Sequence, residues 1–190
     1  LTRAEPVVRQ HGMKLAIENH KDWRIDEMIE IMERLSSESV GINLDTGNNI
    51  SLLEDGMEVV RALAPWTITT HLKDMGVQEF EDGFLLAEVP LGDGYLDMGA
   101  IISICREART GVRFNLEMIT RDPLKIPCLT DAYWLTMPET RAATLAEALR
   151  NVKQSQQVLP IFSNLPLLEQ LAAEEDNIRK CMTWARNHHL

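Results

Sequence analysis

The sequence predicts an α/β fold in which β-strands alternate with amphipathic helices. Four short apolar runs, each about six residues long and rich in β-branched or aromatic residues, have the character of buried strands. They occupy residues 13–18, 40–45, 66–71 and 112–117. Helical spacing of apolar residues fills the intervals at residues 25–35, 53–64 and 98–109. A strand followed by a helix, four times over, favours parallel βα units.

The spacing of the strand ends supports this interpretation. Residues 18 and 45 lie 27 positions apart, and residues 45 and 71 lie 26 apart, as a minimal βα repeat of about 30 residues requires. The next interval, from 71 to 117, is 46 residues. We expect its surplus, residues 75–94, to form an elaborated loop, and residues 118–138 to form another.

A helix is predicted at 139–152 and a final amphipathic helix at 167–187. We therefore divide the chain into a partial barrel over 1–152 and a helical extension over 153–190. A (β/α)8 barrel takes about 250 residues, so four units amount to its carboxyl-terminal half. We expect either that residues are missing before Leu1 or that a second chain completes the ring, which leaves a homo-oligomer open.

The amino-acid composition and net charge argue against some classes of function. The chain has 190 residues, 45% hydrophobic and 25% charged, with a net charge of −10. This charge disfavours nucleic acid and anionic membranes as partners. Cys105, Cys128 and Cys181 form no CxxC pair, so we interpret them as reduced thiols and expect a cytoplasmic protein.

Each predicted strand ends in a potential metal ligand: Glu18, Asp45, His71 and Glu117. The carboxyl ends of parallel strands meet at one edge, where βα loops build sites. Three carboxylates and one imidazole suit Mn²⁺ or Mg²⁺, with Co²⁺ as a further option. Each residue alone also fits a plainer role, such as a helix cap, a turn aspartate or a hydrogen-bonded core histidine.

The strand ends carry a family resemblance. The segments IENH (17–20), LDTGN (44–48), THLKD (70–74) and NLE (115–117) resemble the xylose isomerase-like TIM-barrel superfamily. Within it they are similar to the sugar phosphate isomerase/epimerase group, which includes tagatose and psicose 3-epimerases. The resemblance covers residues 10–152, as strands five to eight of the barrel, and includes VPLGDG (89–94).

The resemblance implies a divalent cation held by the four strand-end residues. It also implies that the two glutamates, Glu18 and Glu117, act as an acid/base pair on opposite faces of a small sugar or polyol. Two positions depart from the family pattern. Asn48 stands where a histidine is frequent, and Val77 stands near the place of the epimerases' substrate-contacting arginine.

Four further residues are candidate substrate contacts: His20, Asn48, Lys73 and Arg121. The predicted activity is that of a metal-dependent sugar isomerase or epimerase, which removes a proton next to a carbonyl and passes through an enediolate. Two alternatives stay open. One is a metal-dependent dehydratase of a keto-cyclitol or dehydroshikimate-like substrate, and the other is a truncated, non-catalytic barrel module.

Overall fold

The computed structural model describes residues 1–137 and 142–190 and divides them into two compact units. Unit 1 is Leu1–Leu72 with Asp97–Glu117, and unit 2 is Lys73–Leu96 with Met118–Leu190. The strands are β1 (Leu15–Glu18), β2 (Val40–Asp45), β3 (Thr67–Leu72), β4 (Asp74–Phe80), β5 (Gly83–Val89), β6 (Arg113–Leu116) and β7 (Leu124–Ile126). The α-helices are α1 (Glu5–Gln10), α2 (Ile25–Leu35), α3 (Gly56–Leu63), α4 (Met98–Ala108), α5 (Asp131–Trp134), α6 (Ala142–Ser155) and α7 (Leu167–Asn187). Two 3-10 helices cover Asn48–Leu52 and Ala64–Trp66.

Unit 1 is built on a four-stranded parallel sheet in the order β1-β2-β3-β6. This confirms the predicted α/β class and the four parallel strands, with strand bounds that differ from the expected ones by at most two residues. The core of the unit combines apolar side chains of the sheet with those of α2, α3 and α4. It contains the buried residues Met28, Met32, Ile42, Leu44, Val59, Val60, Leu63, Ile101 and Cys105.

Local hydrogen bonds fix where the helices of unit 1 begin. The Asp55 side chain accepts the N–H groups of Met57 and Glu58 at the start of α3. Asp97 does the same for the N–H of Ala100 at the start of α4. An N-cap aspartate stabilises a helix by about 1 kcal/mol. These two caps fix the first turns of α3 and α4.

The prediction of a loop over residues 75–94 is wrong, because most of this segment forms the hairpin β4–β5. The two strands pair in antiparallel register from Asp74↔Val89 to Phe80↔Gly83. Gly83 has φ of +150° and closes a two-residue turn. The two turn residues are Glu81 and Asp82. A two-residue polar turn between apolar runs is enough to join antiparallel strands, so no longer loop is needed here.

The hairpin belongs to unit 2, where β7 pairs with β5 to give a three-stranded antiparallel sheet. β7 and α5 lie inside the segment 118–138, which the sequence also assigned to a loop. The predicted helix at 139–152 corresponds to α6, although residues 138–141 lie outside the described residues. The helix predicted at 167–187 is confirmed as α7. None of the described helices is long and apolar enough to cross a membrane.

Asp74 is the buried anchor of unit 2. Its carboxylate accepts backbone N–H bonds from Met75, Gly92, Gly94 and Leu96 at 2.8–3.2 Å. Burial raises the pKa of this carboxyl, and the four N–H bonds oppose that rise. A Cβ at Gly94 would overlap the carboxylate, so glycine allows the loop to approach this closely. One side chain thus ties the loop after β5 back to the start of β4.

We expect Asp74→Asn to lower the free energy of unfolding by about 2–4 kcal/mol. One amide NH₂ group would then face backbone donors, and buried donors that lose their acceptor carry a full desolvation cost. Urea unfolding followed by circular dichroism measures the change. Asp82→Asn is the matched control, because Asp82 is exposed, and it should shift the value by less than about 0.5 kcal/mol. Equal unfolding curves for the two variants would contradict this role of Asp74.

The three cysteines are free, buried thiols, and burial raises the pKa of each. For Cys105 the pKa rises to about 11. Because only the thiolate reacts, the native chain should react slowly with Ellman's reagent at pH 8. Three thiols should react at once in urea. Rapid native labelling of Cys105, identified by peptide mass mapping, would contradict its burial.

Candidate metal centre

The four predicted ligands come together at one edge of the parallel sheet. Each of Glu18, Asp45, His71 and Glu117 offers a ligand atom, and these atoms all lie within 4.8 Å of one another. Glu18 and Asp45 are the last residues of β1 and β2, His71 lies in β3, and Glu117 follows β6. Parallel pairing aligns Asp45 with His71, and the same alignment along the sheet gathers all four side chains.

The imidazole of His71 occupies the middle of the cluster. Its Nδ1 lies 2.8 Å from Oε2 of Glu117 and 3.5 Å from Oε1 of Glu18. Its Nε2 lies 3.0 Å from the side-chain amide of Asn43 on the neighbouring strand. Nδ1 is therefore the ring nitrogen that faces the carboxylates, while Nε2 faces the protein.

The donor set fits a divalent cation. Among the described residues, no group completes a hydrogen bond to the buried Nδ1 of His71, despite the short distance to Glu117. Buried polar atoms are rarely left without a hydrogen-bond partner. A cation would satisfy the nitrogen and reduce the repulsion among the three carboxylates. Such an oxygen-rich set with one nitrogen suits Mg²⁺ or Mn²⁺ better than a structural zinc.

Backbone amides orient the carboxylate of Asp45. The N–H groups of Gly47 and Asn48 donate to its Oδ1 at 2.9 and 2.8 Å. Gly47 has φ of −120°, so this turn forms without a residue in the left-handed region. The carboxylate is held by the first amides after β2, which leaves its direction fixed by the strand.

Asn19 continues the pairing between β1 and β2 with its side chain. It donates to the carbonyl oxygen of Asp45 and accepts from the Asp45 N–H, both at 2.8 Å. Asn19 is fully buried. These two hydrogen bonds to the backbone of Asp45 fix its position relative to the end of β1, which carries Glu18.

A second buried asparagine extends this support. Asn19 donates to Oδ1 of Asn49 at 2.8 Å, and Asn49 donates to Oε2 of Glu54 at 2.6 Å. Glu54 also accepts the N–H of Ile25, the first residue of α2. Burial raises the pKa of Glu54, and the bond from Asn49 acts against this rise. The strand ends are thus connected to the start of α2 through buried polar groups.

Asn48, a predicted substrate contact, forms a hydrogen bond with one of the four candidate metal ligands. Its Nδ2 donates to Oε1 of Glu18 at 3.1 Å, and its Oδ1 accepts from Nζ of Lys21 at 2.8 Å. His20, the second candidate in unit 1, is exposed. Asn48 is therefore in a position to orient Glu18, and a substrate role for either residue stays a prediction.

The other two candidate contacts, Lys73 and Arg121, lie in unit 2 and share Glu88. Arg121 forms a two-point ion pair with Glu88, with distances of 2.8 Å for Nη2 and 3.3 Å for Nε. Nζ of Lys73 lies 3.9 Å from the same carboxylate. Lys73 and Glu88 are each only 2% exposed at the side chain. The structure therefore gives both cations a charge partner, and their substrate role also stays a prediction.

Sequence reasoning missed the asparagines that support the cluster: Asn19, Asn43 and Asn49. Asparagine is uncommon inside strands, so Asn43 in the apolar run VGINLD was a usable signal. Asn19 and Asn49 gave a weaker one, because asparagine is frequent in loops. Only the fold shows that Asn19 and Asn43 contact ligand residues and that Asn49 supports Asn19.

Comparisons with known proteins identify a matching protein family and a sequence relative. A protein-family model described as "Xylose isomerase-like TIM barrel" matches residues 1–154. The 3-oxo-isoapionate decarboxylase of Pectobacterium atrosepticum is 30% identical over 98 residues, which cover 50% of this chain and 36% of that enzyme.

Two solved structures share the fold. A xylose isomerase-like TIM barrel protein of Mycobacterium smegmatis in complex with magnesium is 22% identical, with a TM-score of 0.56, over 78% of this chain and 49% of that one. A xylose isomerase domain protein of Planctomyces limnophilus is 21% identical, with a TM-score of 0.53, over 79% of this chain and 51% of that one.

The present chain thus spans about a third of the decarboxylase and about half of the two solved proteins. The family match covers four-fifths of the residues and includes all four candidate metal ligands. It confirms the resemblance carried by the strand ends, and the chain belongs to the xylose isomerase-like TIM barrel family.

Proposed function

We propose that this chain carries the metal centre of a sugar isomerase or epimerase that works by moving a proton next to a carbonyl. The single observation behind the proposal is the cluster of Glu18, Asp45, His71 and Glu117 within 4.8 Å. The substrate class is a small ketose or polyol-like molecule. The cation is Mg²⁺ or Mn²⁺, and the magnesium complex of the similar Mycobacterium smegmatis protein makes Mg²⁺ the first ion to test.

A bound divalent cation would draw electrons from a substrate carbonyl and a neighbouring hydroxyl, which acidifies the C–H between them. Asp45 and His71 serve only as ligands in this proposal. Amides hold Asp45 in one direction, and the ring of His71 is held between Asn43 and the carboxylates. Fixed ligands keep the reacting carbon at a constant distance from the proton acceptor.

Glu18 and Glu117 are the proposed proton carriers. Glu18 ends β1 and Glu117 follows β6. These are the two outermost strands of the four-stranded sheet, so the two glutamates reach the cluster from opposite sides. Both side chains keep partial exposure, 31% and 25%. One carboxylate takes the proton from carbon to give the enediolate of the substrate. The other returns a proton to the opposite face, which inverts the centre.

Asn48 supports the role of Glu18. Its amide donates to one carboxylate oxygen of Glu18, and Lys21 donates in turn to Asn48. Only Oε1 is engaged by Asn48, so the hydrogen bond orients the carboxylate while its Oε2 can serve proton transfer. Asn48 and Lys21 are therefore proposed as positioning residues for Glu18.

A second candidate is decarboxylation of a 3-oxo acid. The observation that favours it is the 30% identity to 3-oxo-isoapionate decarboxylase. Loss of CO₂ next to a carbonyl leaves the same kind of electron-rich enolate that proton removal leaves, so a cation that polarises the carbonyl assists both reactions. In this case the carboxylate of the substrate leaves as CO₂, and a glutamate needs only to deliver one proton to carbon.

The chain treated with EDTA and desalted should bind one Mg²⁺ or Mn²⁺. Binding should raise the free energy of unfolding by about 2.7 kcal/mol at an ion concentration of 100 times Kd. Calorimetric titration and thermal unfolding measure the two effects. His71→Ala and Glu117→Gln should each weaken binding by more than the 10–100-fold typical of supporting residues.

Glu33→Gln is the control for this titration, since Glu33 is an exposed residue of α2. It should leave the affinity within about twofold of the starting protein. A native-like spectrum with unchanged metal affinity in the Glu117→Gln variant would remove this residue from the centre. A starting protein with no affinity for either ion would overturn the proposed function.

In D₂O with Mg²⁺, the chain should exchange a carbon-bound hydrogen of its substrate for deuterium. A panel of ketohexoses, ketopentoses, inososes and 3-oxo acids is followed by NMR and mass spectrometry. Glu18→Gln and Glu117→Gln should each lower exchange at least about 100-fold. Each variant is assayed at an ion concentration that saturates it, with bound metal measured alongside, because loss of a ligand also weakens metal binding. Glu33→Gln again serves as the control.

The products separate the candidate reactions. Exchange with inversion of a carbon stereocentre supports the epimerase, and exchange with a carbonyl group moved to the neighbouring carbon supports the isomerase. Release of CO₂ from a 3-oxo acid supports the decarboxylase, and loss of water from an inosose supports a dehydratase. A metal-loaded chain that changes none of these compounds would contradict the proposed activity.

A further inference from the structure

The two ring nitrogens of His71 face different chemical groups. Nδ1 faces two carboxylate oxygens, of Glu117 at 2.8 Å and of Glu18 at 3.5 Å. Nε2 lies 3.0 Å from the side-chain amide of Asn43. A neutral imidazole carries its single proton on one nitrogen or the other. The group that faces Nε2 therefore decides, in part, which nitrogen is free to bind a cation.

A metal on Nδ1 requires the lone pair there, so the proton must sit on Nε2. Nε2–H then needs an acceptor, and the carboxamide oxygen of Asn43 can be one. Without a metal, a proton on Nδ1 faces the carboxylates, although none of the described groups completes a hydrogen bond there, and Nε2 then needs a donor. The NH₂ group of Asn43, which faces Nε2 in this structure, is that donor.

The other end of the same amide is unsatisfied. Among the described residues, Oδ1 of Asn43 is buried and has no hydrogen-bond partner. Rotation of the carboxamide by 180° exchanges the two ends and places Oδ1 against Nε2. The unsatisfied oxygen is thus the acceptor that the metal-binding tautomer lacks. An asparagine can serve both tautomers, whereas an aspartate can serve only one.

We propose that Asn43 is a positioning residue that selects the tautomer of His71, with its carboxamide turned toward Nε2–H when a divalent cation takes Nδ1. One proton leaves Nδ1 and one is taken up at Nε2, so the ring stays neutral. The inference rests on the metal centre of the proposed function and deepens it.

The sheet makes this arrangement possible. Asn43 and Asp45 are two residues apart on β2 and therefore point to the same face. Asn43 pairs in register with Thr69, two residues before His71 on β3. The amide thus reaches the imidazole diagonally across the strand pair, at the ring nitrogen that does not face Glu18 and Glu117.

Metal titration of two variants tests the role. Asn43→Leu keeps the approximate shape but offers no hydrogen bond, and it should weaken Mg²⁺ and Mn²⁺ binding about 10–100-fold. Asn43→Asp accepts Nε2–H and should bind at least as tightly as the starting protein. Rescue by aspartate but not by leucine separates tautomer selection from simple packing.

Asn115→Leu is the matched control. Asn115 lies beside His71 in the register of β3 and β6, but its amide donates to Thr69 and to the carbonyl of Thr70. This variant removes an asparagine from the same strand region without touching the imidazole. It should bind both ions within about twofold of the starting protein. An equal loss in Asn115→Leu and Asn43→Leu would overturn the proposal.

Ring nitrogen shifts of ¹⁵N-histidine-labelled protein give a readout that packing alone does not move. His71→Ala identifies the His71 signals among the five histidines. The proton should lie on Nδ1 in the metal-free chain and on Nε2 after addition of Mg²⁺. In Asn43→Asp it should lie on Nε2 in both states. This measurement stands even where Asn43→Leu fails to fold, and an unchanged tautomer in the starting protein would overturn the inference.

The two proposals fail in different ways. Normal metal binding with no reaction on any tested sugar or 3-oxo acid contradicts the proposed function and leaves the tautomer result in place. Normal metal binding in a folded Asn43→Leu variant contradicts only the role of Asn43. Absence of any metal binding in the starting protein contradicts both.

Discussion

Repulsion among three carboxylates is the constraint on which the candidate site depends. Two like charges about 4 Å apart repel by roughly 4 kcal/mol at an effective dielectric of 20, and the ligand atoms of Glu18, Asp45 and Glu117 lie within 4.8 Å. A fold that collects such a cluster must compensate it, and a divalent cation does so most directly. The His71 nitrogen that faces two of the carboxylates completes the set.

Uncharged amides perform most of the support around this cluster. Asn19 holds the backbone of Asp45, Asn48 holds Glu18, and Asn43 faces His71. Amides orient charged ligands without adding charge of their own, so they do not change the balance that a cation must meet. Each also has both a donor and an acceptor end, which lets one side chain connect two strand ends. The proposed reactions share this need for ligands held in fixed directions.

The α/β class and the four candidate metal ligands were predictable because their signals are local. A buried strand shows itself as a short apolar run, and its last residue falls at the sheet edge. The hairpin β4–β5 was missed, since the polar residues around Asp82-Gly83 were weighed as a loop rather than as a tight turn. The partner of Lys73 and Arg121 was also missed. Glu88 lies on a strand that sequence reasoning did not assign.

By itself the sequence determined the alternation of strand and helix, the parallel sheet of unit 1 and the identity of the four candidate ligands. Hydrophobic periodicity and residue type at strand ends are properties of short segments, so they can be read without coordinates. The tertiary structure alone decided which nitrogen of His71 faces the carboxylates, which amides hold the ligands, and that Asp74 anchors a loop about twenty residues away. Those contacts join distant segments, and their geometry arises only when the strands pair in register.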